Sequence, residues 1–253
     1  MPHLVQTRDL FKFQERGGQR LPVLRDISLS VEVGEFLCVM GPSGSGKSTL
    51  LHLLSGLDSP SAGVVELGGE DLAKLPERQR TLQRREKVGY VFQFFNLLPN
   101  LTVRENIGLP VAIGGRGPET ERARLEELAE RLDITSRLDA FPHQLSGGEM
   151  QRTSIARALM GSQPLLLCDE PTGNLSQKAG AEVMELLRAA VDEQERSVLL
   201  VTHNPRDAAF ADRVLFLDCD VLVIQPSFVH AMLGNVLRVA DVAMPLDLAL
   251  IHI

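Results

Sequence analysis

The chain has 253 residues, 44% of them hydrophobic, and a formal net charge of −7 from 26 Lys and Arg against 33 Asp and Glu. That apolar content supports a sizeable core and excludes wholesale disorder, and the acidic balance argues against a general nucleic-acid binder. The length suits one large α/β domain, or one that carries an inserted sub-domain.

Met1-Pro2-His3 leads into a polar, charged segment, so no apolar signal segment is expected. Residues 1–35 alternate and turn. Within them Pro22–Val31 carries apolar residues at period two, the pattern of a half-exposed strand, and Glu32–Glu35 is a turn. Phe36–Met40 is a continuous apolar run, read as a buried strand. It runs into Gly41-Pro42-Ser43-Gly44-Ser45-Gly46-Lys47-Ser48-Thr49, which fits G-x-x-x-x-G-K-[ST], the phosphate-binding P-loop. Leu50–Leu54 supplies the helix that this motif needs. The glycines let backbone N–H groups curl around an anion, and the helix N-terminus faces the same way. Lys47 is expected to reach the β- and γ-phosphates of a nucleotide, and the Ser48 hydroxyl to take Mg²⁺.

Gly63–Gly69 reads as a short strand closed by glycines, and Val88–Phe92 as a further buried strand ending at Gln93. From Phe94 to about residue 160 the pattern is helical and polar, as in a helical insertion within an α/β core. Inside it, Gly114–Pro118 is a loop. Glu119–Leu132 is an amphipathic helix with Ala123, Leu125, Leu128, Ala129 and Leu132 at helical spacing. The strand pattern returns at Leu165–Asp169, followed by a helix near Ala179–Val191 and a strand at Ser197–Val201. The three cysteines, Cys38, Cys168 and Cys219, sit in or beside apolar runs without metal-ligand spacing and read as reduced core thiols of a cytosolic protein. No run approaches the roughly 18 apolar residues of a membrane span, so any spanning falls to another chain.

Two further segments carry chemistry. Leu165–Asp169 ends in the carboxylates Asp169 and Glu170. Asp169 fits the acid that holds Mg²⁺ in P-loop enzymes, usually through its water shell. Glu170, one residue on, is placed as a general base that activates water against the γ-phosphate. Between the P-loop and this strand lies Leu145-Ser146-Gly147-Gly148-Glu149-Met150-Gln151, a serine and two glycines before a helix. Read alone, this is a loop-to-helix cap with Ser146 capping. In this order of motifs it resembles the signature of the ATP-binding cassette (ABC) ATPases, and the resemblance extends over roughly residues 4–217.

The resemblance implies an α/β fold: a P-loop NTPase core with a mainly parallel sheet, an N-terminal antiparallel β region and an inserted helical sub-domain at about 94–160. It implies an ATPase domain over 1–217 and leaves 218–253 as a divergent tail. In the family, the signature of one subunit closes over the γ-phosphate held by the P-loop of another. Ser146, Gly147 and Gly148 are therefore expected to contact a nucleotide bound mainly by a second ATPase subunit, as in a homodimer. Gln93 matches the Q-loop glutamine, which senses the γ-phosphate and metal, and His203 matches the switch histidine at the γ-phosphate. Phe11 or Phe13 is expected to stack on adenine, with Phe13 preferred.

Leu50–Asp58, Phe92–Pro99 and Asp169–Leu175 resemble the lipoprotein-releasing, macrolide-exporter and antimicrobial-peptide-exporter subgroup. For such a protein ATP and Mg²⁺ are the ligands. The membrane partners are permease subunits on separate chains, nucleic acid is not a partner, and the location is the cytoplasmic face of the inner membrane. Two alternatives stand beside this reading. Soluble ABC ATPases of the ribosome or DNA tend to carry tandem cassettes or long coiled-coil insertions, and this chain has neither. A hydrolysis-impaired regulator is prompted by Ser176, where the family normally has an aspartate, but Glu170 and His203 stand against it. The second departure is the tail. Asp218–Ile224 lacks the glycine turn of the family's usual hairpin, and Gln225–Ile253 matches nothing recognised. If helical, Phe228–Met244 is an apolar rod with one polar stripe, suited to packing on this subunit, a partner or a membrane surface, and a sequence unrelated to the family would look the same.

Overall fold

The computed structural model describes residues 3–115, 121–218 and 221–223. The strands are β1 (His3–Arg16), β2 (Gln19–Glu32), β3 (Phe36–Met40), β4 (Ala62–Leu67), β5 (Glu70–Asp71), β6 (Val88–Val91), β7 (Leu165–Asp169), β8 (Ser197–Thr202), β9 (Arg213–Asp218) and β10 (Val221–Val223). The helices are α1 (Lys47–Leu54), α2 (Glu77–Lys87), α3 (Val103–Ile113), α4 (Arg122–Arg131), α5 (Gly147–Met160), α6 (Gln177–Asp192) and α7 (Pro205–Ala208).

The strands form two sheets. A four-stranded sheet runs β2-β1-β4-β5, all antiparallel, and a six-stranded sheet runs β10-β9-β3-β8-β7-β6, parallel except for β10. Strands β3, β7 and β8 are buried along their whole length, as expected of unbroken apolar runs covered on both faces. Their residues alternate between two cores. Phe36, Cys38, Leu166, Cys168, Val198 and Leu200 face α3, α4, α5 and α6. Leu37, Val39, Leu165, Leu167, Leu199 and Val201 face α1 and the antiparallel sheet. The helical insertion and the antiparallel sheet thus cover opposite faces of one central sheet. Cys38 and Cys168 are free and buried. Burial pushes both thiols up, Cys168 to about 12.

The structure departs from the sequence reading in several places, each with a physical cause. Strand β1 lacks steady alternation because it bulges. Asp9 and Asp26 take positive φ, the β1–β2 register shifts between Thr7 and Leu10, and the Thr7 hydroxyl fills the break. That hydroxyl donates to Ile27 O at 2.9 Å and accepts from Leu29 N at 3.0 Å. Helix α2 has no buried residue and so no apolar stripe to read. Strand β6 is an edge strand with Val88 and Tyr90 half-buried, not the fully buried strand expected. On α4 and at its C-cap, Leu125, Leu128, Ala129 and Leu132 are buried as predicted, but Ala123 is exposed.

Residues 116–120, within the expected loop and helix start, lie outside the described residues. Strand β10 pairs antiparallel with β9, Val221 opposite Asp218. Cys219 and residues 224–253, including the apolar stretch 228–244, lie outside the described residues.

Candidate functional site

The register of the parallel strands builds the site. Met40 pairs with Thr202, and Asp169 with Val201, so β3, β8 and β7 end level with one another. The segments that leave these three ends are the P-loop, the residues after Thr202, and Glu170. Three motifs far apart in sequence therefore meet at one edge, the carboxyl ends of a parallel sheet, where open α/β folds bind ligands.

Gly46 opens α1 at φ 98, and a Cβ there would lie 2.8 Å from Val23 O. Only glycine fits both the backbone and the close approach. Lys47, in the first turn, is 7% exposed. Its Nζ donates to Gly41 O at 2.8 Å and Pro42 O at 2.9 Å, and lies 3.9 Å from Glu170 Oε1. Burial lowers the Lys47 pKa, against the opposing pull of Glu170 and Asp169.

Asp169 ends β7 and is 4% exposed. Burial raises its pKa, while a hydrogen bond from the Ser48 hydroxyl works the other way. Its Oδ1 is buried without a hydrogen-bond partner. An orphaned carboxylate oxygen beside a serine hydroxyl is costly unless a cation completes it. The oxygen donors Ser48, Asp169 and Gln93 suit a hard ion such as Mg²⁺. Among the described residues no group of three His, Cys, Asp or Glu is arranged to hold a metal.

Glu170 sits at φ 47, a left-handed conformation that costs a non-glycine residue roughly 1–3 kcal/mol. Its N–H bonds to Val201 O at 3.0 Å, which locks the turn to β8. Its Oε1 lies 2.8 Å from His203 Nδ1, and its Oε2 accepts from Thr202 Oγ1 at 3.2 Å. The result is a cavity of about 560 Å³ lined by Ser43 to Thr49, Gln93, Asp169 and Glu170, with Gln14, Pro22 and Val23 from the antiparallel sheet. Such a volume suits a nucleotide-sized ligand.

Not every predicted residue is brought to this cavity. Phe13 does not line it. Its ring stacks on Phe11 with centroids 6.4 Å apart, under the Arg20 guanidinium at 4.8 Å. Side chains alternate along a strand, so Gln14 lines the cavity where Phe13 does not. Gln14, Pro22 and Val23 went unread because nothing in their residue types signals a ligand; only the strand register shows them. Phe13→Ala is accordingly expected to leave ATP affinity within about twofold, measured by titration. A ring stacked on adenine contributes about 1–3 kcal/mol, so a loss of tenfold or more would put Phe13 at the base after all.

Ser146, Gly147 and Gly148 lie apart from the cavity. Ser146 caps α5: its hydroxyl accepts from Glu149 N at 3.3 Å, and Glu149 Oε2 takes the Ser146 N–H at 2.7 Å. These bonds, chiefly from the Ser146 backbone, hold the Glu149 carboxyl down at about 2, with Arg137 adding to the effect. Added Cβ atoms at Gly147 and Gly148 would meet only ordinary contacts, at 4.0 Å from Phe95 and 3.7 Å from Arg152 and from Asn174 O. Packing within this chain therefore does not explain the two glycines. Arg157, further along α5, donates to Phe95 O at 2.9 Å and Asn96 O at 2.6 Å, so this helix holds the segment just after Gln93. Ser176 caps α6 by accepting from Ala179 N at 3.3 Å.

A family model described as ABC transporter matches residues 24–173. A macrolide export ATP-binding/permease protein, MacB of Marinobacter nauticus, is 43% identical over 210 residues, or 83% of this chain and 32% of that protein. The chain thus spans about a third of that relative's length. The lipoprotein-releasing system ATP-binding protein LolD of Shewanella oneidensis is 41% identical over 224 residues, covering 88% of this chain and 97% of its own. Among solved structures, a dimeric post-hydrolysis state of the ATP-binding cassette MJ0796 with ADP and Pi superposes with a TM-score of 0.83. It is 37% identical and covers 87% of this chain and 97% of that one.

Proposed function

The chain belongs to the ABC transporter family, as an ATP-binding and ATP-hydrolysing subunit, and from this we propose that two copies close around two ATP molecules to drive export or release of a substrate through separate membrane subunits. One observation carries the reading. Lys47, Asp169 and Glu170 line one cavity at the ends of β3 and β7, and His203, which follows β8 and does not line it, bonds to Glu170. The names of the relatives, lipoprotein release and macrolide export, support an export- or release-type system at the cytoplasmic face of the inner membrane. Among the described residues no helix is long and apolar enough to cross a membrane. We assign the ATPase to residues 1–217 and the transmission of motion to the helical insertion at about 94–160.

In this proposal the backbone N–H groups of Ser43 to Thr49, which line the cavity, cradle the phosphates. Lys47 turns its ammonium from the Gly41 and Pro42 carbonyls to the β- and γ-phosphate oxygens. Ser48, Asp169 and Gln93 would hold Mg²⁺, which when bound would supply positive charge at the phosphates. Glu170 accepts a proton from the water that attacks the γ-phosphorus as the bond to ADP breaks. His203 holds the Glu170 carboxylate and faces the γ-phosphate. Ser146, Gly147 and Gly148 of one subunit close over the γ-phosphate bound by the other, and hydrolysis reopens the pair. With Glu170 and His203 in contact, a hydrolysis-impaired regulator is not favoured.

The dependence of turnover on protein concentration tests this. Sites completed by two subunits predict that ATPase activity per subunit rises with protein concentration below the dimer dissociation constant. Turnover per subunit that is constant across that range, in a protein shown to be monomeric, would contradict the composite site.

A further inference from the structure

Behind the carboxylates that face the cavity lies another that does not line it. Asp207, in α7, is 4% exposed. Its Oδ2 accepts from Thr172 Oγ1 at 2.5 Å and lies 3.4 Å from Thr202 Oγ1, and its Oδ1 accepts from Asn204 Nδ2 at 3.0 Å. Thr172 stands just after Glu170 on the segment leaving β7. Thr202 and Asn204 flank His203 on the segment leaving β8. Asp207 therefore ties together the two segments that carry the proposed base and its histidine.

Thr202 is the junction. Its hydroxyl donates to Glu170 Oε2 at 3.2 Å and accepts from Asn204 N at 3.0 Å. One hydroxyl proton serves one carboxylate at a time, so Thr202 can turn it to Glu170 while Thr172 supplies the proton that Asp207 Oδ2 needs. Burial raises the Asp207 pKa, and bonds from Thr172 and Thr202 offset this. A buried carboxylate held only by neutral donors is an expensive way to fill space, and an apolar side chain would pack there at less cost.

We propose that Asp207 is a positioning residue for hydrolysis: its carboxylate clamps the segment after β7 to the segment after β8, and so fixes the Glu170 carboxylate against His203 and Thr202. The proposal rests on the reading of Glu170 as the base.

The test uses Asp207→Ala and the paired exchange Asn204→Asp with Asp207→Asn, each in the full chain. In the exchange, the amide introduced at 207 donates to the carboxylate introduced at 204, and its carbonyl oxygen accepts from Thr172, which rebuilds the clamp. Turnover, KM and the affinity for a fluorescent ATP analogue are measured together. Asp207→Ala is expected to lower kcat by about tenfold or more with KM and affinity within about twofold, and the exchange to restore kcat to within about threefold of the parent. A kcat for Asp207→Ala within twofold of the parent, a joint loss of kcat and nucleotide affinity, or a folded exchange protein with no recovery would each overturn the clamp. If Asp207→Ala does not fold, Thr172→Val takes its place, since it deletes the shortest bond and keeps the carboxylate; an unchanged kcat there overturns the proposal equally. Glu170→Gln is assayed alongside. If it loses turnover while Asp207→Ala does not, the clamp alone fails; if it keeps turnover, the assignment of the base fails and the clamp falls with it.

Discussion

Lys47→Ala is expected to lower ATP turnover by about a hundred- to a thousandfold, with ATP binding weakened or lost as well. Lys47 is the only cation among the described residues that line the cavity, and it faces the carboxylates of Asp169 and Glu170 there. A triphosphate entering without it meets two carboxylates and no fixed positive side chain. At a buried site such a charge is held in place in advance, and removing a preorganised group that stabilises developing charge typically costs about 3–4 kcal/mol in the transition state. The loss is confined to chemistry and binding. The loop carbonyls of Gly41 and Pro42, which Nζ contacts, can turn to solvent, so the variant should fold. Phosphate release at saturating Mg·ATP measures the effect. Near-parental turnover in a folded Lys47→Ala protein would overturn the assignment of the P-loop.

The parts of this site that could be read from sequence are those whose chemistry forces a residue type. A phosphate-binding turn demands glycines, a lysine and a hydroxyl at set spacing, and Gly41–Thr49 shows them. The buried strands β3, β7 and β8 showed as unbroken apolar runs because both of their faces are covered. Other parts depend on geometry that residue type does not encode. Phe13 looked like a base platform because it is aromatic, but strand alternation turns Gln14 to the cavity. The bulge at Asp9 breaks the period of β1, and α2, whose one large apolar residue Leu82 is exposed, has no stripe. Asp207 gave no signal because its role lies in the convergence of Thr172, Thr202 and Asn204, which only the fold brings together. Ser176 read as a loss of charge at a family position; the structure adds that it still caps α6. Asp caps equally well, so the helix does not require the change.

Glu170→Gln is expected to bind ATP, to hydrolyse it about a hundredfold or more slowly, and to accumulate as a closed dimer. The substitution keeps the shape of the side chain and its bond from Thr202, but removes the carboxylate that can take a proton from water, a contribution of about 10²–10⁴ in rate. Lys47 and Asp169 are untouched, so phosphate and Mg²⁺ binding should survive. Trapped ATP then acts as a ligand of the dimer alone and shifts the equilibrium by mass action. Ser146→Arg in the same background puts bulk and charge where Gly147 and Gly148 leave room, and should restore the monomer. Sedimentation velocity of Glu170→Gln decides the matter. The predicted result is a single boundary at the dimer mass with saturating Mg·ATP and a monomer boundary with Mg·ADP. A protein that binds ATP yet sediments as a monomer at every ATP concentration, with or without its membrane subunits, would contradict the composite site.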